Sequence, residues 1–212
     1  MFRGLSFALD PGEAMLLTGA NGSGKSSLLR LMAGLTPAIA GKLYWNGEEV
    51  TSDRGGHRRH LHFVGHLDAV KPALTVAETV AFWGALGGAS PGRDAGEALK
   101  RFRLDGLAAS PCRFLSAGQK KRLSLSRLIA SPARLWLLDE PTTGLDRDSV
   151  ADLEAAIAEH RAGGGVVVAS THTPLALADA KSCVLTEFTP RKNVAVKEAD
   201  GKRDDDDEFQ PS

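Results

Sequence analysis

The chain has 212 residues, 42% hydrophobic and 25% charged, and its 26 basic side chains are matched by 26 acidic ones. That length sits near the upper edge of one domain, and the composition suits a packed core rather than disorder. The charge balance removes the field that would draw the chain onto nucleic acid, and no apolar run approaches the ~20 residues of a membrane-spanning helix. The start has no basic segment leading into an apolar one, so no secretory signal is read and a cytoplasmic setting is expected. Cys112 and Cys183 lack metal-type spacing and read as small apolar fillers.

In chain order, Phe2 to Leu9 alternates apolar and polar residues, which predicts a half-buried strand closed by a turn at Asp10-Pro11-Gly12. Ala14 to Thr18 reads as a second strand. After a Gly-rich stretch, Gly19 to Gly24, the residues Leu28, Leu29, Leu31, Met32 and Leu35 recur at helical spacing until Gly34 and Pro37 stop the helix. A Gly/Arg/His-rich loop then leads into a strand at Leu61 to Val64. Thr75 and Glu78 have the spacing of a capping box, opening a helix with Val76, Val80 and Trp83 on one face. Ser116 and Gln119 repeat that spacing ahead of Leu123, Leu125, Leu128 and Ile129. Leu135 to Leu138 and Val166 to Ala169 are the continuous apolar runs of parallel strands buried on both faces, and the helix between them turns Val150, Leu153 and Ile157 inward. Strands alternating with helices predict an α/β fold on a mainly parallel sheet. From Pro190 onward Arg191, Lys192, Lys197 and Arg203 mix with Asp204 to Asp207, so residues 190–212 read as a disordered charged tail behind a domain of 1–189.

The segment Gly19-Ala20-Asn21-Gly22-Ser23-Gly24-Lys25-Ser26 satisfies G-x-x-x-x-G-K-[ST] between a predicted strand and a predicted helix. Glycines at 19, 22 and 24 let the backbone wrap until its amides face phosphate oxygens, and the helix beginning near Ser27 adds its positive end. Lys25 supplies a point charge for the outer phosphates of ATP, and the Ser26 hydroxyl is a ligand for Mg²⁺. Asp139 and Glu140 end the buried strand: Asp139 is expected to orient Mg²⁺ and Glu140 to polarise the attacking water.

Leu115-Ser116-Ala117-Gly118-Gln119, followed by Lys120-Lys121-Arg122 and lying about twenty residues before the acidic strand, resembles the signature of the ABC family. The resemblance implies a P-loop NTPase core of ABC type with an inserted helical subdomain at about 67–132. It also implies a head-to-tail homodimer in which Ser116, Gly118 and Gln119 reach the γ-phosphate held by the opposite copy. By the same resemblance Asp146 belongs to a loop at the subunit boundary and His172 is the switch histidine acting with Glu140. His66 stands where the family usually carries a glutamine that ligands Mg²⁺ through water, and an imidazole there adds pH dependence. His57, His60, His62 and His66 are close in sequence and read as a basic surface loop. The family's first strand and its adenine-stacking aromatic correspond to positions before Met1, and Phe2 is a poor substitute by place.

Phe63-Val-Gly-His66-Leu-Asp, Lys71-Pro-Ala-Leu-Thr75-Val-Ala-Glu78, Trp136-Leu-Leu-Asp-Glu-Pro and Ser170-Thr-His-Thr-Pro174-Leu are similar to the CcmA family, the ATP-binding subunits of bacterial cytochrome c maturation. That likeness implies an ATP hydrolase bound peripherally at the cytoplasmic face of the inner membrane, paired with CcmB and associated with CcmC and CcmD in a system labelled as haem export. Val80, Phe82, Trp83 and Leu86 are candidates for the partner contact. The alternatives are the ATPase of another small ABC exporter and a soluble, non-transport ABC ATPase. Repair-type coiled coils, a second cassette and a guanine-reading Asn-Lys-x-Asp are all absent from the sequence.

Overall fold

A computed structural model of the chain describes residues 2–88, 93–173 and 175–188. Pro174 and the charged segment 190–212 lie outside the described residues. In chain order the elements are β1 (Ala14–Thr18), α1 (Lys25–Met32), β2 (Tyr44–Trp45), β3 (Glu48–Glu49), α2 (Arg54–Arg59) and β4 (Leu61–Val64). They continue with α3 (Val76–Leu86), α4 (Arg93–Arg101), α5 (Ala117–Ala130), β5 (Leu135–Asp139), α6 (Arg147–Ala162), β6 (Val166–Ser170) and β7 (Lys181–Val184).

Five strands form one parallel sheet in the order β4-β5-β6-β1-β7. The period-two alternation of strand side chains divides each buried strand between two cores. Leu135 and Leu137 of β5 point to the side covered by Leu28, Leu29 and Met32 of α1. Trp136 and Leu138 point to the side covered by Leu123, Leu125 and Leu128 of α5 and Leu153 and Ile157 of α6. Every residue of β5 and β6 is buried, which is why both segments read as unbroken apolar runs.

Both capping boxes form: Thr75 and Glu78 cap α3, and Ser116 and Gln119 cap α5, each with its side-chain and backbone bonds in place. Several expectations are corrected. Residues 2–9 make no strand; Phe2, Leu5 and Leu9 lean on the α1-side core, and Arg3 N–H donates to the Phe188 carbonyl at 2.9 Å without a ladder beside it. The helix after the glycine loop ends at Met32, leaving Leu35 51% exposed, because Gly34 turns out at φ +65°. The Gly/Arg/His-rich loop contains the short helix α2, started by Asp53, whose carboxylate accepts the Gly56 N–H at 2.7 Å.

Two of the clustered histidines are interior rather than surface groups. His57 hydrogen-bonds the Met32 carbonyl at 2.7 Å, and His62 bonds the Ser131 carbonyl at 2.9 Å. No group of three metal-binding side chains occurs among the described residues. The helical section is tied to α6 by ion pairs from Arg101 to Glu159 and from Arg103 to Asp148 and Asp152. Among the described residues no helix is long and apolar enough to cross a membrane.

Candidate functional site

Strands β5, β6 and β1 lie side by side, so the segments leaving their carboxyl ends converge where ligands bind in open parallel sheets. The three segments are the glycine loop, Asp139-Glu140 and Ser170-Thr171-His172. They enclose a cleft of about 300 Å³ lined by Asn21, Gly22, Gly24, Lys25, Ser26, Ser27, Glu140 and His172.

Gly19, Gly22 and Gly24 all take positive φ, at 132°, 80° and 104°, which lets the loop close on itself above α1. No side chain caps α1, so its first amides stay open toward the cleft. Ala20 is exposed at the rim, and the Ser23 hydroxyl is buried within the loop without a hydrogen-bond partner. The Lys25 ammonium folds back onto the carbonyls of Gly19 (2.8 Å) and Ala20 (3.3 Å), occupying the space in front of the loop.

Asp139 is buried at 3% exposure, and its Oδ1 accepts from the hydroxyls of Ser26 (3.0 Å) and Ser170 (2.7 Å). An exposed hydroxyl beside a carboxylate is a hard-oxygen donor pair of the kind Mg²⁺ takes together with phosphate oxygens, so these residues fit that ion. Glu140 holds φ at 49°, in the left-handed region. Its Oε2 accepts the His172 N–H at 3.2 Å, while Oε1 makes no hydrogen bond and lies 3.3 Å from His172 Nε2. His172 thus flanks the carboxylate with both its backbone amide and its ring, and Glu140 stands in the cleft wall.

The remaining predicted residues lie elsewhere on the chain. Ser116 is exposed at the start of α5, and Ser116, Gly118 and Gln119 do not line the cleft of their own chain. The Gly118 backbone passes so near the Gly144 carbonyl that an added Cβ would sit 3.2 Å from it. Asp146 is exposed and caps α6 by accepting the Ser149 N–H at 2.8 Å; the Ser149 hydroxyl, then that amide, holds its carboxyl below the usual range. His66 is exposed just beyond β4 and is not part of the cleft wall.

Two further residues near the site fall within the quoted motifs without having a role of their own there. Ser170, fully buried, sits opposite Asp139 in the β5–β6 register. Its signal in the sequence is a lone hydroxyl ending an apolar run. Lys121 is buried at 6% exposure; burial pushes its ammonium below the usual range, opposed by the charges of Asp68, Asp139 and Glu140. In the sequence it is hidden within a basic stretch.

Residues 2–143 match the family described as ABC transporter. The cytochrome c biogenesis ATP-binding export protein CcmA of Rhodospirillum rubrum is 56% identical over 196 residues, covering 92% of this chain and 84% of that protein. The protein of the same name from Paramagnetospirillum magneticum is 50% identical, covering 89% and 88%. Among solved structures, a dimeric ATP-binding cassette in a post-hydrolysis state with ADP and Pi superposes at a TM-score of 0.71 with 26% identity, covering 79% of this chain and 78% of that one. An ABC transporter ATP-binding protein from Pyrococcus furiosus shares the fold at a TM-score of 0.77 with 21% identity, covering 88% and 90%. With its glycine loop, acidic strand end and histidine gathered at one end of a parallel sheet, the chain belongs to the ABC transporter family and, within it, to the cytochrome c biogenesis ATP-binding export proteins.

Proposed function

We propose that this chain, the ATPase subunit of a CcmAB-type transporter in c-type cytochrome biogenesis, hydrolyses ATP at the cleft bounded by Gly19 to Ser27, Asp139, Glu140 and His172. The observation that carries the assignment is that the uncapped start of α1 and Glu140, held by His172, line the same cleft. The open amides and Lys25 bind the phosphates, Lys25 exchanging the Gly19 and Ala20 carbonyls for phosphate oxygens of greater negative charge. Ser26 and Asp139 would hold Mg²⁺, which supplies charge neutralisation on the outer phosphates. Glu140 accepts a proton from water as the water oxygen attacks the γ-phosphorus; the bond to the ADP oxygen breaks, and ADP and phosphate leave. His172, held to Glu140 through its backbone amide, contacts the γ-phosphate side of the cleft.

A second copy completes this site. The exposed α5 start offers amides and the Ser116 hydroxyl with no phosphate in its own chain, and head-to-tail pairing brings Ser116, Gly118 and Gln119 over the partner's nucleotide, with Asp146 at the boundary. The membrane partner is CcmB, with CcmC and CcmD, which places the chain on the cytoplasmic face of the inner membrane. Its docking surface is the helical section: Phe82 (42% exposed) and Leu86 (71%) of α3, with Leu67 (85%) and Phe114 (71%) as further exposed apolar side chains. Val80 packs inside at 0% exposure and Trp83 against the core, so neither belongs to that surface.

The test is Glu140→Gln, which keeps the shape of the side chain and removes its basicity. Hydrolysis is expected to fall at least ~100-fold, in the range of a lost general base, while an ATP-bound dimer accumulates on size exclusion. A variant that is fully active, or monomeric in ATP, overturns the assignment.

A further inference from the structure

We infer that Ser170 is a positioning residue for hydrolysis: its single hydroxyl orients the Asp139 carboxylate and braces the backbone from which Glu140 is aimed. The inference rests on the roles given above to Asp139 and Glu140.

The parallel register of β5 and β6 sets Ser170 directly across from Asp139. Its Oγ–H donates to Asp139 Oδ1 at 2.7 Å, and the same oxygen accepts the Glu140 N–H at 3.1 Å. The Ser170 carbonyl takes a share of that amide at 3.2 Å. Two residues on, His172 N–H donates to Glu140 Oε2 at 3.2 Å. Residues 170–172 therefore grip both carboxylates, one through its side chain and the other at both ends.

Ser26 also donates to Asp139 Oδ1, at 3.0 Å, but Ser26 lines the cleft and its oxygen is the one a metal ion would recruit. Ser170 is 0% exposed and outside the cleft, so its bond to Asp139 persists whichever partner Ser26 takes. Asp139 Oδ1 is thus held from β6 on the same oxygen that Ser26 reaches from the cleft side. The brace on Glu140 matters for a second reason: a non-glycine residue at φ 49° is strained and keeps that conformation only while its neighbours hold it.

The experiment compares the full-length wild type with Ser170→Ala, Ser170→Thr and Asp139→Asn. It measures ATPase kcat and KM, binding of Mn²⁺ to the ADP-loaded chain by electron paramagnetic resonance, and ADP binding in EDTA. A hydrogen bond to a charged group is worth roughly a tenfold change or more, so Ser170→Ala is expected to lower kcat about 10-fold or more. The Mn²⁺ half-saturation rises by a similar factor, metal-free ADP affinity is unchanged, and Ser170→Thr, which keeps the hydroxyl, restores both. A serine that only satisfied a buried carboxylate would lower the melting temperature and leave Mn²⁺ binding where it was. Ser170→Ala with kcat and Mn²⁺ half-saturation within about twofold of wild type overturns the inference if Asp139→Asn loses both. Asp139→Asn with normal metal binding and turnover overturns instead the reading of the site beneath it.

Discussion

His62 gives a pH dependence of stability whose sign and size follow from its surroundings. Its ring is buried between Ser131 and the neighbourhood of His160 and Arg127, and burial, aided by the charges of those two side chains, lowers its pKa from 6.5 to about 4; the Ser131 carbonyl opposes the shift. A base whose folded pKa lies below its unfolded value takes up protons preferentially when unfolded. Stability is thus fully present above the unfolded pKa of 6.5 and is lost as the pH falls toward the folded value of about 4. Integrating proton uptake between those values for one group gives a loss of about 2 kcal/mol on going from pH 7 to pH 5. In urea titrations that corresponds to a midpoint lower by roughly 1 M. Other groups titrate over the same range, so the comparison is with His62→Gln, whose amide can still donate to the Ser131 carbonyl but does not ionise. The difference between the two proteins is expected to shrink by about 2 kcal/mol as the pH falls from 7 to 5. A His62→Gln protein with the same pH slope as wild type refutes the reasoning.

The remaining predictions concern assembly. Lys25→Ala removes the phosphate cation and Ser116→Arg fills the opposite anion site, so neither homodimer should hydrolyse ATP, yet a 1:1 mixture should recover activity in a steady-state assay because one of its two sites is built from intact halves. A mixture as inactive as its components would exclude a site shared between copies. Phe82→Asp with Leu86→Asp should abolish co-purification with a CcmB-type membrane subunit, the partner proposed above, while leaving nucleotide affinity within about twofold, since a buried charge at a docking contact costs several kcal/mol and neither residue touches the cleft. Retained co-purification would move the docking surface off α3.

The glycine loop, the acidic strand end and both capping boxes are local, and the sequence determined them by itself. Each needs only residue types at fixed offsets along a few positions, and covalent spacing enforces their geometry. The buried strands β5 and β6 were legible for a related reason, because a strand covered on both faces has no polar side to break its run. Other features depended on distant parts of the chain. β7, with Lys181 and Ser182 exposed, carries no apolar period, and becomes a strand only because β1 offers it a ladder from Met15 to Thr18. Val80 and Phe82 fall on opposite faces of α3 by the helical period, but how far Phe82 and Leu86 stay exposed was decided by the packing of α4 and α5 against that helix. His57 and His62 looked like surface charge until α1 and the end of α5 supplied the carbonyls that bury them. Ser170 is the sharpest case: in the sequence it only opens the segment that carries His172, and the register that sets it against Asp139, thirty-one residues away, is what gives its hydroxyl the Asp139 carboxylate and the Glu140 amide to hold.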